Sequence, residues 1–203
     1  SHCNVEHKEK FPGLCTPDES YHGIVYAQKF GNAGAYITKA TVQLMRDLGS
    51  VQAPVNAYML NLGLESLAVR MERHCSNALA VAEFLEQNEN VAWVNYPGLA
   101  DNQYYRRAQK YMNGGTCGVV SFGVKGGRPA AEKFMKNLHL AMIATHVADA
   151  RTCVLHPASS THRQMTDEEL AAGGVPADLV RLSVGIENVS DIIADLKQAL
   201  SSL

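Results

Sequence analysis

Leu60, Leu64, Leu67, Met71, Cys75, Ala78, Ala82 and Leu85 recur at steps of three and four residues, the spacing that stacks side chains on one face of an α-helix. A stripe of that length predicts one amphipathic helix over residues 60–85, with Glu65, Arg70, Glu72, Arg73 and Glu83 turned to solvent or to a partner. Such a helix gains most of its stability from whatever covers its stripe, so the rest of the chain must supply a second layer.

Alternating strand and helix patterns follow it. Residues 91–96 read as a strand stopped by Pro97-Gly98, and residues 102–112 as a helix ended by Asn113-Gly114-Gly115. Residues 117–124 are a second strand and residues 129–138 a helix with Pro in its first turn. Two more strands are expected over residues 141–147 and 152–155. Thr166 with Glu169 forms a capping box for a short helix, and residues 180–184 make the last strand. Asn188 and Asp191 cap the final helix, whose Ile192, Ile193, Leu196 and Leu200 form a buried stripe. This order predicts an α+β fold, a sheet covered by helices. Upstream, residues 1–23 are polar and aperiodic and read as a loop. Residues 24–48 favour helix, with interruptions at Gly31 and Gly34 and a stop at Gly49 and Pro54.

Composition removes several classes of function. Eighteen Lys and Arg are scattered among 20 Asp and Glu, for a net charge of -2, so nucleic acid is not expected as a partner. No apolar run approaches a bilayer span and no charged-then-apolar leader opens the chain, so no membrane partner is expected. The five Cys are odd in number and widely spread, which argues against a disulfide framework and for a reducing cytoplasm. His2, Cys3, His7, Cys15 and His22 lack the paired spacing of a zinc site, so no metal is expected. Phosphate-loop, dinucleotide-binding and serine-hydrolase signatures are absent as well.

Arg181 is the residue that asks for chemistry. It lies in Arg181-Leu182-Ser183-Val184-Gly185-Ile186-Glu187, a fixed cation between apolar neighbours on a strand. Its planar fork of donors suits a carboxylate, which can come from a ligand or from a core-facing Asp or Glu. Upstream, His156-Pro157-Ala158-Ser159-Ser160-Thr161-His162 joins a strand end to a polar turn. Its hydroxyls and imidazoles either converge on a bound group or satisfy the turn itself.

Together these blocks resemble the C-terminal half of the Cys/Met metabolism family of pyridoxal phosphate enzymes, the fold-type-I transsulfuration group. The resemblance extends to Gly63-Leu64-Glu65-Ser66-Leu67, Arg70-Met71-Glu72-Arg73-His74, Tyr96-Pro97-Gly98-Leu99 and Phe122-Gly123-Val124-Lys125-Gly126-Gly127. Lys10-Phe11-Pro12-Gly13-Leu14 and Pro17-Asp18-Glu19-Ser20-Tyr21-His22-Gly23 resemble an insertion typical of O-acetylhomoserine sulfhydrylases. Methionine γ-lyase and cystathionine γ-synthase are the nearest alternatives, and a non-catalytic α+β binding module or a degenerate remnant is the alternative of another class.

The resemblance implies that Arg181 binds an amino acid's α-carboxylate, with Thr161 near it and His146 where relatives often carry Ser or Asn. Arg163 is a second cation of the same region. O-acetylhomoserine and sulfide are the implied substrates, pyridoxal phosphate the implied cofactor, and a homotetramer the implied assembly. The lysine that forms the cofactor's Schiff base is implied in a Ser-x-Thr-Lys context upstream of Ser1, so no catalytic residue is assigned in this chain; Thr38-Lys39 imitates the pattern, and Lys39 reads as a surface lysine. The expected organisation is a fragment. Residues 1–60 are the tail of the large cofactor domain, residues 61–203 the small domain, and residues 24–62 are expected to leave apolar surface exposed and to promote association.

Overall fold

The computed structural model describes residues 5–112 and 115–203. The helix stop at Asn113-Gly114 and the metal candidates His2 and Cys3 lie outside the described residues. The chain forms two compact units, Ser1–Leu62 and Gly63–Leu203.

The first unit is helical. It contains α1 (Pro12–Cys15), α2 (Tyr26–Lys39), a π-helical stretch over Ala40–Met45, and α3 (Arg46–Leu48). Gly31 adopts a φ of 64° inside α2 and Gly49 a φ of 66° after α3, so the kink and the stop both fall on residues without a Cβ penalty. Residues 5–23 are more ordered than the expected loop. Asp18 accepts hydrogen bonds from the backbone N–H and hydroxyl of Ser20, at 3.1 and 2.7 Å, and pairs with Lys39 at 2.7 Å. The Lys39 ammonium beside it, then the Ser20 hydroxyl, hold the Asp18 carboxyl below its usual range. Lys39 also donates to the Gly13 carbonyl at 2.8 Å and lies 5.2 Å from the Tyr26 ring centroid. It is therefore a largely covered tether and not the surface lysine expected. One carboxylate organises this segment, and a single carboxylate leaves no period in a sequence. Tyr26, Ala27 and Ala35 form the small core, packed by Leu14, Tyr21, Ile24 and Val42.

The helix expected over residues 60–85 is two helices, α4 (Pro54–Glu65) and α5 (Leu67–Glu86), interrupted at Ser66 with φ -101° and ψ 2°. Leu60, Leu64, Leu67 and Met71, half of the proposed stripe, are exposed. The buried face of α5 is His74, Asn77, Ala78, Val81, Ala82 and Leu85, which includes Ala78, Ala82 and Leu85 of the expected stripe. The spacing therefore holds in the second half of α5, whereas α4 carries apolar residues on all sides and its part of the stripe stays exposed.

In the second unit, β1 (Val91–Asn95), β2 (Val119–Val124), β3 (Met142–Ile143), β4 (Cys153–Leu155) and β5 (Leu179–Ser183) form one sheet in the order β1-β2-β5-β4-β3. All neighbours are antiparallel except β3 and β4. Val120, Phe122, Val154, Val180 and Leu182 bury one face under α5, α7 (Gly127–Lys136) and α9 (Val189–Leu200). Phe122 meets Phe134 edge-on at 5.7 Å in this core. The α+β reading therefore holds, with a mainly antiparallel sheet covered by helices. Between β1 and β2 lies α6 (Tyr105–Tyr111), which starts later than expected because Asn102 accepts from the Tyr104 N–H in a preceding turn. Before β5, α8 (Asp167–Ala172) carries the Thr166/Glu169 capping box, and Asn188 caps α9.

β3 ends at Ile143, short of the strand expected over residues 141–147, because Ala148 turns left-handed and its N–H goes to the Ser183 hydroxyl instead of a strand ladder. The approach to β3 is turned by a charge on α9. Asp195, 5% exposed, accepts from the backbone N–H groups of His139, Leu140 and Ala141 at 2.8, 2.9 and 2.9 Å. Burial raises its carboxyl, but these N–H donors and Gln198 more than offset that, leaving it below the usual carboxylate range. Its stabilising contribution is thus present above the unfolded carboxylate range and fades as pH falls through the folded value. Asp195→Ala is expected to cost about 3 kcal/mol, since it strands three N–H donors. Asp195→Ala should also show a flatter acid limb of the stability-pH curve, measured by urea unfolding; an unchanged midpoint and limb would contradict this.

Candidate active site

Val180 and Leu182 of β5 point into the core, so Arg181 between them leaves the sheet on the opposite face, in register with Ser121 of β2 and Leu155 of β4. Its guanidinium turns toward the segment 144–151. There Nη2 donates to the Thr145 carbonyl at 2.9 Å, with a longer 3.5 Å contact to the His146 carbonyl. Nε is buried without a partner. Among the described residues no Asp or Glu ion-pairs with Arg181, so the structural ion pair left open by the sequence does not form. A buried unpaired donor costs about 1–3 kcal/mol. This cation therefore sits among carbonyl dipoles with no acidic side chain paired to it among the described residues, and a carboxylate matches its fork.

The segment 144–151 is fixed at several points. The Ala144 N–H bonds the Val154 carbonyl at 3.1 Å, the Ala148 N–H the Ser183 hydroxyl at 3.0 Å, and the Ile186 N–H the Ala150 carbonyl at 2.9 Å. Glu187 accepts from the Thr152 N–H and hydroxyl at 2.6 and 3.0 Å. Gly185 is required there, since a Cβ would stand 2.5 Å from the Ala150 carbonyl oxygen. The carbonyls that face Arg181 are thereby held in place before any ligand arrives.

Ala148 adopts a φ of 61°, a conformation that L-residues with a side chain rarely take. Its strain is roughly 1–2 kcal/mol, and Gly would return about 0.4–1 kcal/mol of that as unfolded-state entropy. Ala148→Gly is accordingly expected to stabilise the chain by about 0.5–1 kcal/mol in denaturant unfolding, and a destabilisation would show that this backbone is not strained.

The three residues assigned to the substrate are not equally placed. His146 contributes its carbonyl toward Arg181, while its exposed ring faces Asp149, Nδ1 to Oδ2 at 3.5 Å. Thr161 is exposed, its hydroxyl 2.9 Å from His162 Nδ1, and no hydrogen bond links it to Arg181 among the described residues. Arg163 is exposed, and its N–H makes a 3.4 Å bond to the Ser160 carbonyl. The first half of the polar turn satisfies itself. His156 is buried, its Nδ1 2.8 Å from the Ser159 hydroxyl and its Nε2 2.9 Å from the Ala177 carbonyl, and Ser160 donates to the His156 carbonyl at 2.6 Å.

The resemblance places residues 144–155 at the substrate, but Thr145, Asp149 and Ser183 were not singled out individually from the sequence. Asp149 had a local signal in Asp149-Ala150-Arg151, a turn in which the carboxylate accepts from the Arg151 N–H at 3.0 Å. The Arg151 guanidinium, then that N–H, hold the Asp149 carboxyl far below its usual range. Burial, in contrast, pushes the Cys153 thiol up, with Asp149 adding to it and Arg151 opposing.

The Cys/Met metabolism PLP-dependent enzyme profile matches residues 20–201. The O-acetyl-L-homoserine sulfhydrylase of Leptospira meyeri is 44% identical over 96% of this chain and 46% of its own length. A second relative, O-acetyl-L-homoserine sulfhydrylase 1 of Thermus thermophilus, is 45% identical over 95% of this chain and 45% of its own. A crystal structure from Campylobacter jejuni, described as an O-acetylhomoserine (thiol)-lyase with a pyridoxyl-lysine monophosphate, superposes with a TM-score of 0.84 at 38% identity, covering 97% of this chain and 46% of that one. The chain thus spans less than half the length of these proteins. With the profile matched over most of its residues, the chain belongs to the Cys/Met metabolism PLP-dependent enzyme family.

Proposed function

We propose that this chain is the substrate-carboxylate half of a pyridoxal phosphate-dependent O-acetylhomoserine sulfhydrylase, which converts O-acetylhomoserine and sulfide to homocysteine and acetate. The observation that carries the reading is Arg181, held by the Thr145 carbonyl, with a buried, unpaired Nε and no acidic partner among the described residues. The relatives' names support the substrate, and the Pro-Gly insertion at residues 10–23 supports the sulfhydrylase branch.

In this reading Arg181 fixes the α-carboxylate, and the pinned 144–151 segment keeps that end of the substrate in register with the reacting carbon. His146, whose carbonyl faces Arg181, and Thr161 are the further substrate contacts in this reading, on the strength of the family resemblance. Pyridoxal phosphate, when bound, supplies the electron sink for removal of the α-proton. The residues described fit the amino-acid end of such a site and not the cofactor itself. Lys39, whose Thr-Lys context imitates the family lysine, is committed to Asp18 and Gly13. We place the cofactor's lysine in the remaining half of the parent protein, with residues 1–60 as the tail of that cofactor domain and residues 61–203 as the small domain. A homotetramer in a reducing cytoplasm completes the proposal, supported by the exposed apolar helices and the odd, dispersed cysteines.

The test is a chimaera in which the upstream half of the Leptospira meyeri relative is joined to this chain. Homocysteine and acetate formed from O-acetylhomoserine and sulfide are the expected products. A folded, cofactor-loaded chimaera that instead only breaks down methionine would assign the chain to the γ-lyase branch.

A further inference from the structure

His146, Asp149 and Cys153 bring an imidazole, a carboxylate and a thiol together, their ligand atoms all within 4.8 Å of one another. We propose that these three side chains bind a thiophilic divalent cation of the zinc class, with a fourth position open to water. A zinc ion holds a thiolate at about 2.3 Å, an imidazole at about 2.0–2.1 Å and a carboxylate oxygen at about 2.0–2.2 Å, so its ligand atoms stand roughly 3.3–3.8 Å apart. His146 Nδ1 and Asp149 Oδ2 already stand 3.5 Å apart. Only the sulfur has to close in, and the His146 side chain, 61% exposed, is free to move toward it.

The backbone sets up this convergence. The left-handed residue Ala148 lies between His146 and Asp149, and Cys153 sits at the start of β4, whose register with β5 pairs it with Ser183. Cys153 is 1% exposed and forms only a weak 3.5 Å bond to the Arg151 carbonyl, so its sulfur has no strong competing partner. Arg151 occupies Asp149 Oδ1 at 3.2 Å and Oδ2 at 3.1 Å, but a carboxylate has lone pairs for both the guanidinium and an ion. Thiolate and imidazole together select zinc, cadmium and cobalt over magnesium or calcium. Binding replaces the thiol proton with the metal, and that proton leaves to buffer.

Cadmium titrated into the full 203-residue chain under a thiol-free reductant reads the site directly through sulfur-to-metal charge-transfer absorption. The expected result is one equivalent with a thiolate band, lost in Cys153→Val and at least tenfold weaker in His146→Asn. His146→Asn alters an exposed side chain, so it decides the matter even if Cys153→Val does not fold. Replacing Cys3, Cys15, Cys75 and Cys117 by Ser should leave the band in place. Absence of the band in the wild-type chain, its persistence in Cys153→Val, or unchanged affinity in His146→Asn would each overturn the assignment. No activity enters the readout, so the result stands apart from the proposed sulfhydrylase function.

Discussion

Arg181→Ala in the chimaeric enzyme is expected to lower kcat/KM for O-acetylhomoserine by about 100- to 1,000-fold, equivalent to roughly 3–4 kcal/mol. The loss comes from a fork of charged donors that neither Arg163, exposed on a turn with no link to Arg181, nor Arg151, paired with Asp149, is placed to replace. The carboxylate is bound before and during reaction alike, so the loss should fall mainly on KM. Arg181→Lys should recover about tenfold of it, because an ammonium restores the charge without the planar fork. A kcat/KM within threefold of wild type in Arg181→Ala would remove this residue from the site.

The second large effect concerns association. Val55, Tyr58, Met59, Leu60, Leu62 and Leu64 on α4 are all more than half exposed. Burying each such side chain yields about 1.5–3 kcal/mol, so the helix alone offers on the order of 10 kcal/mol against an association cost of about 4–15 kcal/mol. The net from this helix is then at most about 6 kcal/mol, so the isolated chain is expected to self-associate no tighter than tens of micromolar. Tyr58→Glu with Leu62→Lys should shift that constant at least tenfold without changing the unfolding of the sheet unit. Sedimentation of a clean monomer at high concentration would contradict this.

Much of the second unit was legible because its strands alternate and its helices carry capping residues. Thr166 with Glu169 and Asn188 before α9 marked their helices correctly from local chemistry alone. The helix over residues 60–85 failed for an instructive reason. Period describes a face, but only the neighbour decides whether that face is buried, and Leu60 and Leu64 find no cover here. β3 was overextended because the turn that follows it is held by Ser183, 35 residues from Ala148 in sequence, and no local pattern reports such a bond. Arg181 stood out as an isolated cation, whereas its partner Thr145 acts through a carbonyl that every residue possesses. Asp149 and Cys153 are likewise ordinary in sequence; their nearness to His146 arises from the turn at Ala148 and the register of β4.

The central claim is that Arg181 reads the substrate's α-carboxylate, and a substrate-variant cycle tests it most directly. O-acetylhomoserine and its α-carboxamide differ only in that charge, so kcat/KM for both is measured in the chimaera with Arg181 and with Arg181→Ala. The account predicts a preference for the carboxylate of about 100-fold or more with Arg181, falling to within a few-fold in the variant. The same preference in both proteins would contradict it.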